Sequence, residues 1–367
     1  MQLIHALFVA ALLACLALAH PGEKHNPAHL KREIAAQKAW AAHGKRALNT
    51  CARSESARAL QARSIKRREL KTRELREKLA QSGKSHARRN ANELSKWEST
   101  VHNKTGAYSS YDPAAVFNGE PSCILAPVIT DGPYYIWGEY VRQNVVEEAY
   151  SQGVPMHVEI QYIDVNTCEP LPDLFVDIWQ ANATGVYSGI SEQGNYAADG
   201  WNSTYLRGIQ PTDKDGVAVF DTIFPGHYSG RATHTHLLVH SNATLLPNGT
   251  LLVNTGSITH NGQLFFNEKL RSAVEAASPY NTNTIEVTSN AEDMWAKQQA
   301  SSQYDPFVDY AYIGDDISDG LFVWKQIGIN STADYINNSY YAIAGYIQED
   351  GGFENTGAHS FSAGPSK

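Results

Sequence analysis

Two histidines separated by a single residue, His234 and His236, are the part of this sequence with the clearest chemical meaning. On a β-strand, side chains at positions i and i+2 point to the same face, so the two imidazoles would converge. Imidazole nitrogen is the commonest protein ligand for metal ions. The spacing indicates a metal-binding pair, but a buried core histidine produces the same pattern, and both interpretations stay open on spacing alone.

Two tyrosines precede these histidines at positions where they would come close to them. Tyr228 lies six residues before His234, in a Phe-Pro-Gly-His-Tyr phrase whose turn would bring the phenol back over the histidine strand. Tyr187 follows a predicted strand that ends at Asn182 and a short turn that contains Gly185. The two phenols favour the metal-binding interpretation.

Several phrases around these residues resemble intradiol ring-cleavage dioxygenases, a family that includes the protocatechuate 3,4- and catechol 1,2-dioxygenases. Among its members, the secreted fungal ones resemble this sequence most. They occur in the family's order over residues 123–266, which makes chance agreement a poor explanation. The phrases are Gly132-Pro-Tyr-Tyr135, Asp177-Ile-Trp-Gln-Ala-Asn182 with Gly185-Val-Tyr187, Asp215-Gly216 with Phe224-Pro-Gly-His-Tyr228, Arg231-x-x-His-x-His236 and Gln263-Leu-Phe-Phe266.

The resemblance implies a non-haem Fe(III) ion held by equatorial Tyr187 and His234 and by axial Tyr228 and His236. Phenolates are hard anionic donors that stabilise Fe(III), whereas zinc sites usually use Cys, His and carboxylates. The implied reaction joins O2 to a catechol-type phenol and opens the ring between its two oxygenated carbons, giving a muconate-type dicarboxylic acid. Tyr228 is implied to leave the metal and to help take up a substrate proton.

Further residues receive roles from the same resemblance. Arg231 matches an arginine beside the metal whose positive charge would stabilise negative charge on the substrate ring, although a surface salt bridge is the alternative. Gln263 matches a glutamine near the substrate and oxygen pocket, and Tyr135 is predicted to contact substrate with it. Tyr134 is expected to pack or to line the pocket mouth. The family often has Pro-Ala where this chain has Ala232-Thr233.

The elements that must position these residues are short strands. From Met156 to Tyr162 apolar and polar residues alternate, which predicts a half-buried strand. Turn signals such as Pro225-Gly226 separate the other candidates. We therefore predict a mainly β protein whose catalytic domain, residues 101–355, is an antiparallel β-sandwich. The other predicted strands are 174–180, 217–224, 234–240, 251–254, 263–266, 284–288, 321–326 and 340–347.

Residues 20–100 have a different composition. They contain 20 Lys and Arg against 8 Asp and Glu, whereas residues 101–367 contain 10 against 30. Their Ala, Leu, Glu, Lys and Arg content predicts two or three helices, of which Ser64–Ala80 is the clearest, with candidate breaks at Gly44 and Gly83. We interpret this basic α-helical region as an arm that packs on the main domain or forms a homodimer. A pro-segment cut at a dibasic pair, such as Arg67-Arg68, and a patch for an anionic partner stay open.

The N-terminus of the chain predicts export. Residues 1–19 carry an apolar run that ends in small residues, as in a signal peptide, and no later run is long enough to span a membrane. We expect a secreted, extracellular protein with no membrane attachment, no nucleic-acid partner and a disordered tail at 356–367. Seven Asn-x-Ser/Thr sequons predict glycosylation. They lie at Asn103, Asn182, Asn202, Asn242, Asn248, Asn330 and Asn337.

Three cysteines remain after removal of the signal peptide: Cys51, Cys123 and Cys168. In an oxidising compartment we predict a Cys123–Cys168 bond, with Cys51 free or paired with another chain, although sequence alone does not determine connectivity.

Two other functions compete with ring cleavage. Cleavage after Ala19 would expose His20, and a secreted copper monooxygenase would bind its metal through such an N-terminal histidine. A non-catalytic β-sandwich that binds plant or wall material through the chain's 19 Tyr and 7 Trp is the second alternative.

Overall fold

The computed structural model describes residues 27–82, 104, 129–191, 195–252, 255–299, 305–337, 342–348 and 350–356. Several predictions fall outside these ranges: the signal peptide, His20, the break at Gly83, Asn103, Cys123 and all but the first residue of the tail. No helix within the ranges combines the length and the apolar character needed to cross a membrane.

Two helices come first in the described chain, α1 (Pro27–Cys51) and α2 (Glu55–Gln81). The Ser54 side chain caps α2 by accepting a hydrogen bond from the backbone N–H of Ala57 at 3.1 Å. The predicted break at Gly44 is wrong, since α1 continues through it. A single glycine costs a helix only about 1 kcal/mol relative to alanine, which is too little to end a helix that packs along its length.

The rest of the regular structure is mostly extended, and the protein is mainly β. The elements are β1 (Ile136–Trp137), β2 (Pro155–Asp164), β3 (Phe175–Trp179), β4 (Arg207–Pro211), β5 (Val217–Ile223), β6 (His234–Ser241), β7 (Ser257–Phe265), α3 (Glu268–Glu275), α4 (Met294–Gln299), β8 (Asp309–Tyr312), β9 (Leu321–Ile329), β10 (Gly345–Gln348) and β11 (Gly351–Glu354).

One predicted strand, residues 284–288, is absent from the described structure. Ile285 and Val287 alternate with polar residues, but both side chains are exposed. The Ile285 carbonyl accepts a hydrogen bond from the His227 side chain at 2.8 Å instead of joining a sheet. Alternation in this segment therefore does not reflect a buried face.

The strands form two four-stranded sheets, β5-β2-β9-β8 and β4-β3-β6-β7, and a three-stranded sheet, β1-β10-β11. The β4-β3-β6-β7 sheet is antiparallel throughout. However, β2 pairs with β9 in parallel, as β1 does with β10. The prediction of purely antiparallel pairing is wrong for these two pairs, because alternation of polar and apolar residues indicates the buried face and not strand direction.

Both four-stranded sheets contribute side chains to one hydrophobic core. Ile160 and Phe220 come from the first sheet, and Val176, Leu237 and Val239 come from the second. Because neighbouring residues of a strand face opposite sides, Leu237 and Val239 in the core place His234 and His236 on the other face of β6. The core thus fixes the direction in which the two histidines point.

The polar face of β2 is buried as well, contrary to the predicted half-buried strand. Helix α2 covers it, with Ser64 donating a hydrogen bond to Gln161 at 3.0 Å and Arg68 donating to Glu159 at 2.6 Å. Burial alone would raise the pKa of Glu159, but Arg68 and Arg67 hold it below its usual value. Polar residues that pair across a buried interface have the same sequence pattern as a solvated face.

A disulfide joins Cys51, at the end of α1, to Cys168, in the turn after β2. The predicted Cys123–Cys168 bond is therefore wrong, and so is the expectation that Cys51 is free or bonded to another chain. Leu48 and Leu60 of the two helices pack with Val165 in one apolar cluster, and this packing brings the two cysteines together. Sequence spacing contains no information about such a contact.

The double variant Cys51→Ser, Cys168→Ser is expected to lower the free energy of unfolding. The bond spans 117 residues, and closing a loop of that size is worth about 4 to 5 kcal/mol of chain entropy. Urea titration of the variant beside the untreated wild type measures the loss. Equal midpoints, or a native protein in which Cys51 reacts with a thiol reagent, would contradict the bond.

Candidate metal centre

Four side chains selected from the sequence meet on the outer face of the β4-β3-β6-β7 sheet. His234 and His236 project from β6, Tyr228 lies in the turn before β6, and Tyr187 lies in the loop after β3. All four are buried, with Tyr228 the most accessible at 7%. Distant segments of the chain thus place two imidazoles and two phenols together away from solvent.

The two imidazoles face each other. Their Nε2 atoms are 2.9 Å apart, and His234 Nδ1 is 2.6 Å from the carbonyl oxygen of Ala232. Because a carbonyl can only accept, Nδ1 of His234 carries the proton and its Nε2 presents a lone pair. Trp179 stacks on the His236 ring at 4.7 Å and 9°. A second hydrogen bond and a fixed ring plane are how proteins orient histidines that bind metals.

The two phenols complete the group. Tyr228 Oη is 3.3 Å from His234 Nε2, and the Tyr228 ring packs edge-on against the Tyr187 ring at 5.3 Å. Tyr187 Oη has no hydrogen bond of ordinary geometry, although it lies close enough to Tyr228 for the two groups to affect each other's pKa. A buried hydroxyl without a good partner is costly, and a bound cation would provide one.

Burial raises the pKa of both phenols, and Arg231 opposes this effect in each case. Deprotonation in this buried place therefore needs more positive charge than Arg231 alone provides. A metal ion in contact with both oxygens is the usual source of such charge.

These donor atoms fit a metal ion that accepts nitrogen and hard oxygen ligands. Two metal–nitrogen bonds of about 2.1 Å at about a right angle would separate the nitrogens by about 3 Å, and the observed separation is 2.9 Å. No group of three or more His, Cys, Asp or Glu side chains in the described part of the chain could hold a metal. The site described here has four donor groups because two tyrosine hydroxyls, which are not among those residue types, add to the two imidazoles.

Arg231 and Gln263 lie directly beside the donor group and are fully buried. Arg231 Nη1 is 3.4 Å from Tyr228 Oη, and its Nη2 donates to Gln263 Oε1 at 2.5 Å. Gln263 in turn donates to the carbonyl of Thr130 at 2.9 Å. A surface salt bridge for Arg231 is excluded, because its carboxylate partner, Asp293, is buried too.

The tyrosine that the structure places against the two phenols is Tyr134. Its ring lies 4.8 Å from that of Tyr187 and 6.1 Å from that of Tyr228. Tyr135 packs against Trp179, and its hydroxyl lies 3.4 Å from His240 Nε2. Contact of Tyr135 with substrate stays a prediction, and Tyr134 is assigned to the wall of the site.

Arg207, on β4, is a residue near the site that the sequence analysis missed. Its guanidinium donates to the Ser188 carbonyl at 2.8 and 3.1 Å and to Glu139 at 3.0 Å. The guanidinium carbon lies 6.0 Å from the centre of the Tyr187 ring. Arg207 therefore anchors the backbone next to Tyr187 and places a positive charge over its ring. Its position as the single charged residue in the run 205–209 could have identified Arg207 from the sequence.

Asp177 and Glu139 form a buried acidic pair around Arg207. Burial raises the pKa of Asp177 to about 7 and that of Glu139 well above its usual value. Two carboxyl groups beside one arginine do not both ionise readily, so the pair retains a proton near neutral pH. Burial also lowers the pKa of the nearby His240 to about 4, so this histidine is neutral and packs against Trp137.

This pair predicts a pH dependence of stability. Because the pKa of Asp177 rises from 3.8 to about 7 on folding, its stabilising contribution is complete at low pH and is lost as pH rises through 7. Asp177→Asn should reduce the loss of unfolding free energy between pH 5 and pH 8 by on the order of 2 kcal/mol. Urea titrations across this range test the effect, and identical slopes in variant and wild type would refute it.

Comparison with known proteins places a family match over this site. Residues 130–247 match the family model described as Dioxygenase. Similar solved structures include an intradiol ring-cleavage dioxygenase from Tetranychus urticae, at 28% identity over 58% of this chain and 96% of that chain, with a TM-score of 0.47. Comparison with curated proteins gives no match.

Two further solved structures are similar at lower identity. The dioxygenase domain of a dioxygenase carbohydrate-binding protein fusion from Streptomyces sp. SirexAA-E is 22% identical over 55% of this chain and 96% of that chain, with a TM-score of 0.33. The catechol 1,2-dioxygenase from Acinetobacter sp. ADP1, inhibited by bound mercury, is 18% identical over 61% and 67%, with a TM-score of 0.37.

Proposed function

We propose that this protein is a secreted non-haem Fe(III) enzyme that cleaves catechol-type rings. The chain resembles the intradiol ring-cleavage dioxygenases, and its residues 130–247 match the family model described as Dioxygenase. The substrates are a small phenol with two adjacent hydroxyl groups and O2, and the product is a muconate-type dicarboxylic acid. Both oxygen atoms of O2 enter the product.

The observation that carries this proposal is the convergence of two phenols and two imidazoles in one buried place. The 2.9 Å separation of the imidazole nitrogens favours a bound cation, and so does the Tyr187 hydroxyl, which has no hydrogen bond of ordinary geometry. Phenolate oxygens favour Fe(III) over Fe(II) because they are hard anionic donors. Tyr187, Tyr228, His234 and His236 would therefore hold the iron.

Bound Fe(III) supplies Lewis acidity that lowers the pKa of the catechol hydroxyl groups and activates the ring towards O2. Tyr228, held as a phenolate, would accept a proton from a catechol hydroxyl at its Oη, and Arg231 Nη1, 3.4 Å from that oxygen, would stabilise the phenolate before the transfer. The same guanidinium stabilises negative charge as it develops on the ring. Gln263, fixed by Arg231 and Thr130, and the Tyr134 ring orient the substrate and exclude water.

Secretion is part of the proposal. The Cys51–Cys168 bond supports an oxidising compartment, where such bonds persist. Several sequon asparagines have exposed positions compatible with glycosylation. These are Asn202, Asn242, Asn248 and Asn337.

The experiment that tests the function combines metal analysis with oxygen uptake by the purified full chain. We expect one iron per chain, a red-brown colour from phenolate-to-Fe(III) charge transfer, and consumption of one O2 per substrate from a panel of catechol, protocatechuate, hydroxyquinol and larger plant phenols. Copper in place of iron would favour a monooxygenase. Absence of any metal together with binding of plant or wall material would favour a binding module.

A further inference from the structure

The buried carboxylate of Asp293 holds Arg231 in place. Asp293 Oδ2 accepts from Arg231 Nε at 2.8 Å and from the backbone N–H of Ala232 at 2.7 Å, and Oδ1 accepts from the N–H of Ala296 at 2.8 Å. Both partners of the ion pair are completely buried. One carboxylate thus connects the start of α4 to the residues that immediately precede His234.

Asp293 binds Arg231 at Nε, and the two Nη nitrogens contact groups of the site. Nη1 lies 3.4 Å from Tyr228 Oη, and Nη2 donates to Gln263. Because a guanidinium is planar and rigid, fixing Nε also fixes the directions of both Nη groups. The orientation of Arg231 at the metal centre therefore depends on Asp293.

Gln299, at the other end of α4, holds the backbone of Gln263. Its Oε1 accepts from the Gln263 N–H at 3.2 Å, and its Nε2 donates to the Gln263 carbonyl. Since β7 is an edge strand, the Gln299 side chain makes the bonds that a neighbouring strand would make. It keeps the backbone of Gln263 in register with His236, its partner on β6.

The segment that contains both residues also contacts the turn of Tyr228. Asn283 donates to the His227 carbonyl at 2.8 Å, and the His227 ring donates to the Ile285 carbonyl at 2.8 Å. Residues 283–299, which we call the brace segment, thus contact the elements that carry Tyr228, Arg231 and Gln263.

We propose that Asp293 and Gln299 are positioning residues of the enzyme, through which the brace segment sets Arg231 and Gln263 against the bound catechol. The inference rests on the proposed function. It extends the site beyond residues 130–247, the part that matches the dioxygenase family.

Asp293→Asn tests the inference, because it removes the charge and keeps the shape. In the iron-loaded full chain we expect wild-type iron content and colour but a kcat about 10- to 100-fold lower, the effect of a misoriented catalytic group. Glu159→Gln is the matched control, since Glu159, on the other four-stranded sheet, is a buried carboxylate that pairs with Arg67 and Arg68 of α2. It should lower stability and leave kcat unchanged.

A double-mutant cycle with Arg231→Ala separates positioning from a merely structural role. If Asp293 acts through Arg231, adding Asp293→Asn to Arg231→Ala lowers kcat by less than about two-fold. A full multiplicative effect in that background, or an unchanged kcat in Asp293→Asn alone, would overturn the inference while the proposed function stands. A wild-type protein without iron or ring cleavage would overturn both.

Gln299→Leu provides an independent arm if Asp293→Asn does not fold. It removes both bonds to Gln263 at nearly constant volume, and we expect unchanged iron content with a kcat/KM about 10-fold lower. Wild-type kcat/KM in this folded variant would count against a positioning role for the brace segment.

Discussion

Tyr187→Phe is expected to abolish both the iron-dependent colour and catechol cleavage while the two four-stranded sheets stay folded. The change removes one oxygen atom and leaves the ring packing against Tyr134 and Tyr228 intact. Because the Tyr187 hydroxyl has no good hydrogen bond, its loss should cost less than about 1 kcal/mol of stability. The effect on metal binding is therefore separate from any effect on folding.

Tyr162→Phe is the matched control for this experiment. Tyr162 is also a fully buried tyrosine whose hydroxyl lacks a partner in the described structure, but it lies in the core between the sheets. It should retain iron, colour and turnover. His236→Ala should behave like Tyr187→Phe. Iron analysis, visible absorption and oxygen uptake provide the comparison, and full activity in Tyr187→Phe or His236→Ala would eliminate the ligand assignment.

Arg231→Ala is expected to retain most of the iron and to lower kcat about 100- to 1000-fold, the range for removal of a preorganised group that stabilises developing charge. Arg231 is no ligand in this arrangement, but its Nη1 faces Tyr228 Oη at 3.4 Å. Loss of its charge also leaves Asp293 buried without a cation, which costs about 3 to 5 kcal/mol. Turnover must therefore be measured well below the unfolding temperature of the variant.

Arg231→Lys distinguishes charge from geometry. Lysine keeps the positive charge but lacks the Nε edge that Asp293 binds and the rigid fork that reaches Gln263. We expect iron content as in wild type and a kcat between those of wild type and Arg231→Ala. Steady-state kinetics with the preferred catechol measures both variants, and unchanged turnover in Arg231→Ala would refute the electrostatic role.

The sequence predicted that His234, His236 and Tyr228 lie together because they are close in the chain, whereas Tyr187 reaches them from a more distant segment. The spacing of His234 and His236 is a property of a single strand, and that strand exists. Tyr228 and Arg231 lie within six residues of it. Local periodicity and turn signals are sufficient for such features, and the structure indeed brings these side chains together.

Features that depend on contacts between distant segments were not predictable in this way. Asp293 and Gln299 lie 62 and 36 positions from the residues they hold, in a polar stretch with no distinctive pattern. The pairing of Cys51 with Cys168 and the burial of Glu159 depend on how α2 packs on β2. A sequence pattern indicates which buried polar residues need hydrogen-bond or ion-pair partners, but it does not identify those partners.

The parallel pairing of β2 with β9 has a consequence for synthesis of the protein. The pair joins Met156–Asp164 to Leu321–Ile329 in the middle of its sheet, so more than 150 further residues must leave the ribosome before β2 gains its second neighbour. Contacts so distant in the chain slow folding. Until then β2 has an open edge to which other chains can pair. Nascent chains that stop before residue 321 should therefore be the aggregation-prone species during synthesis.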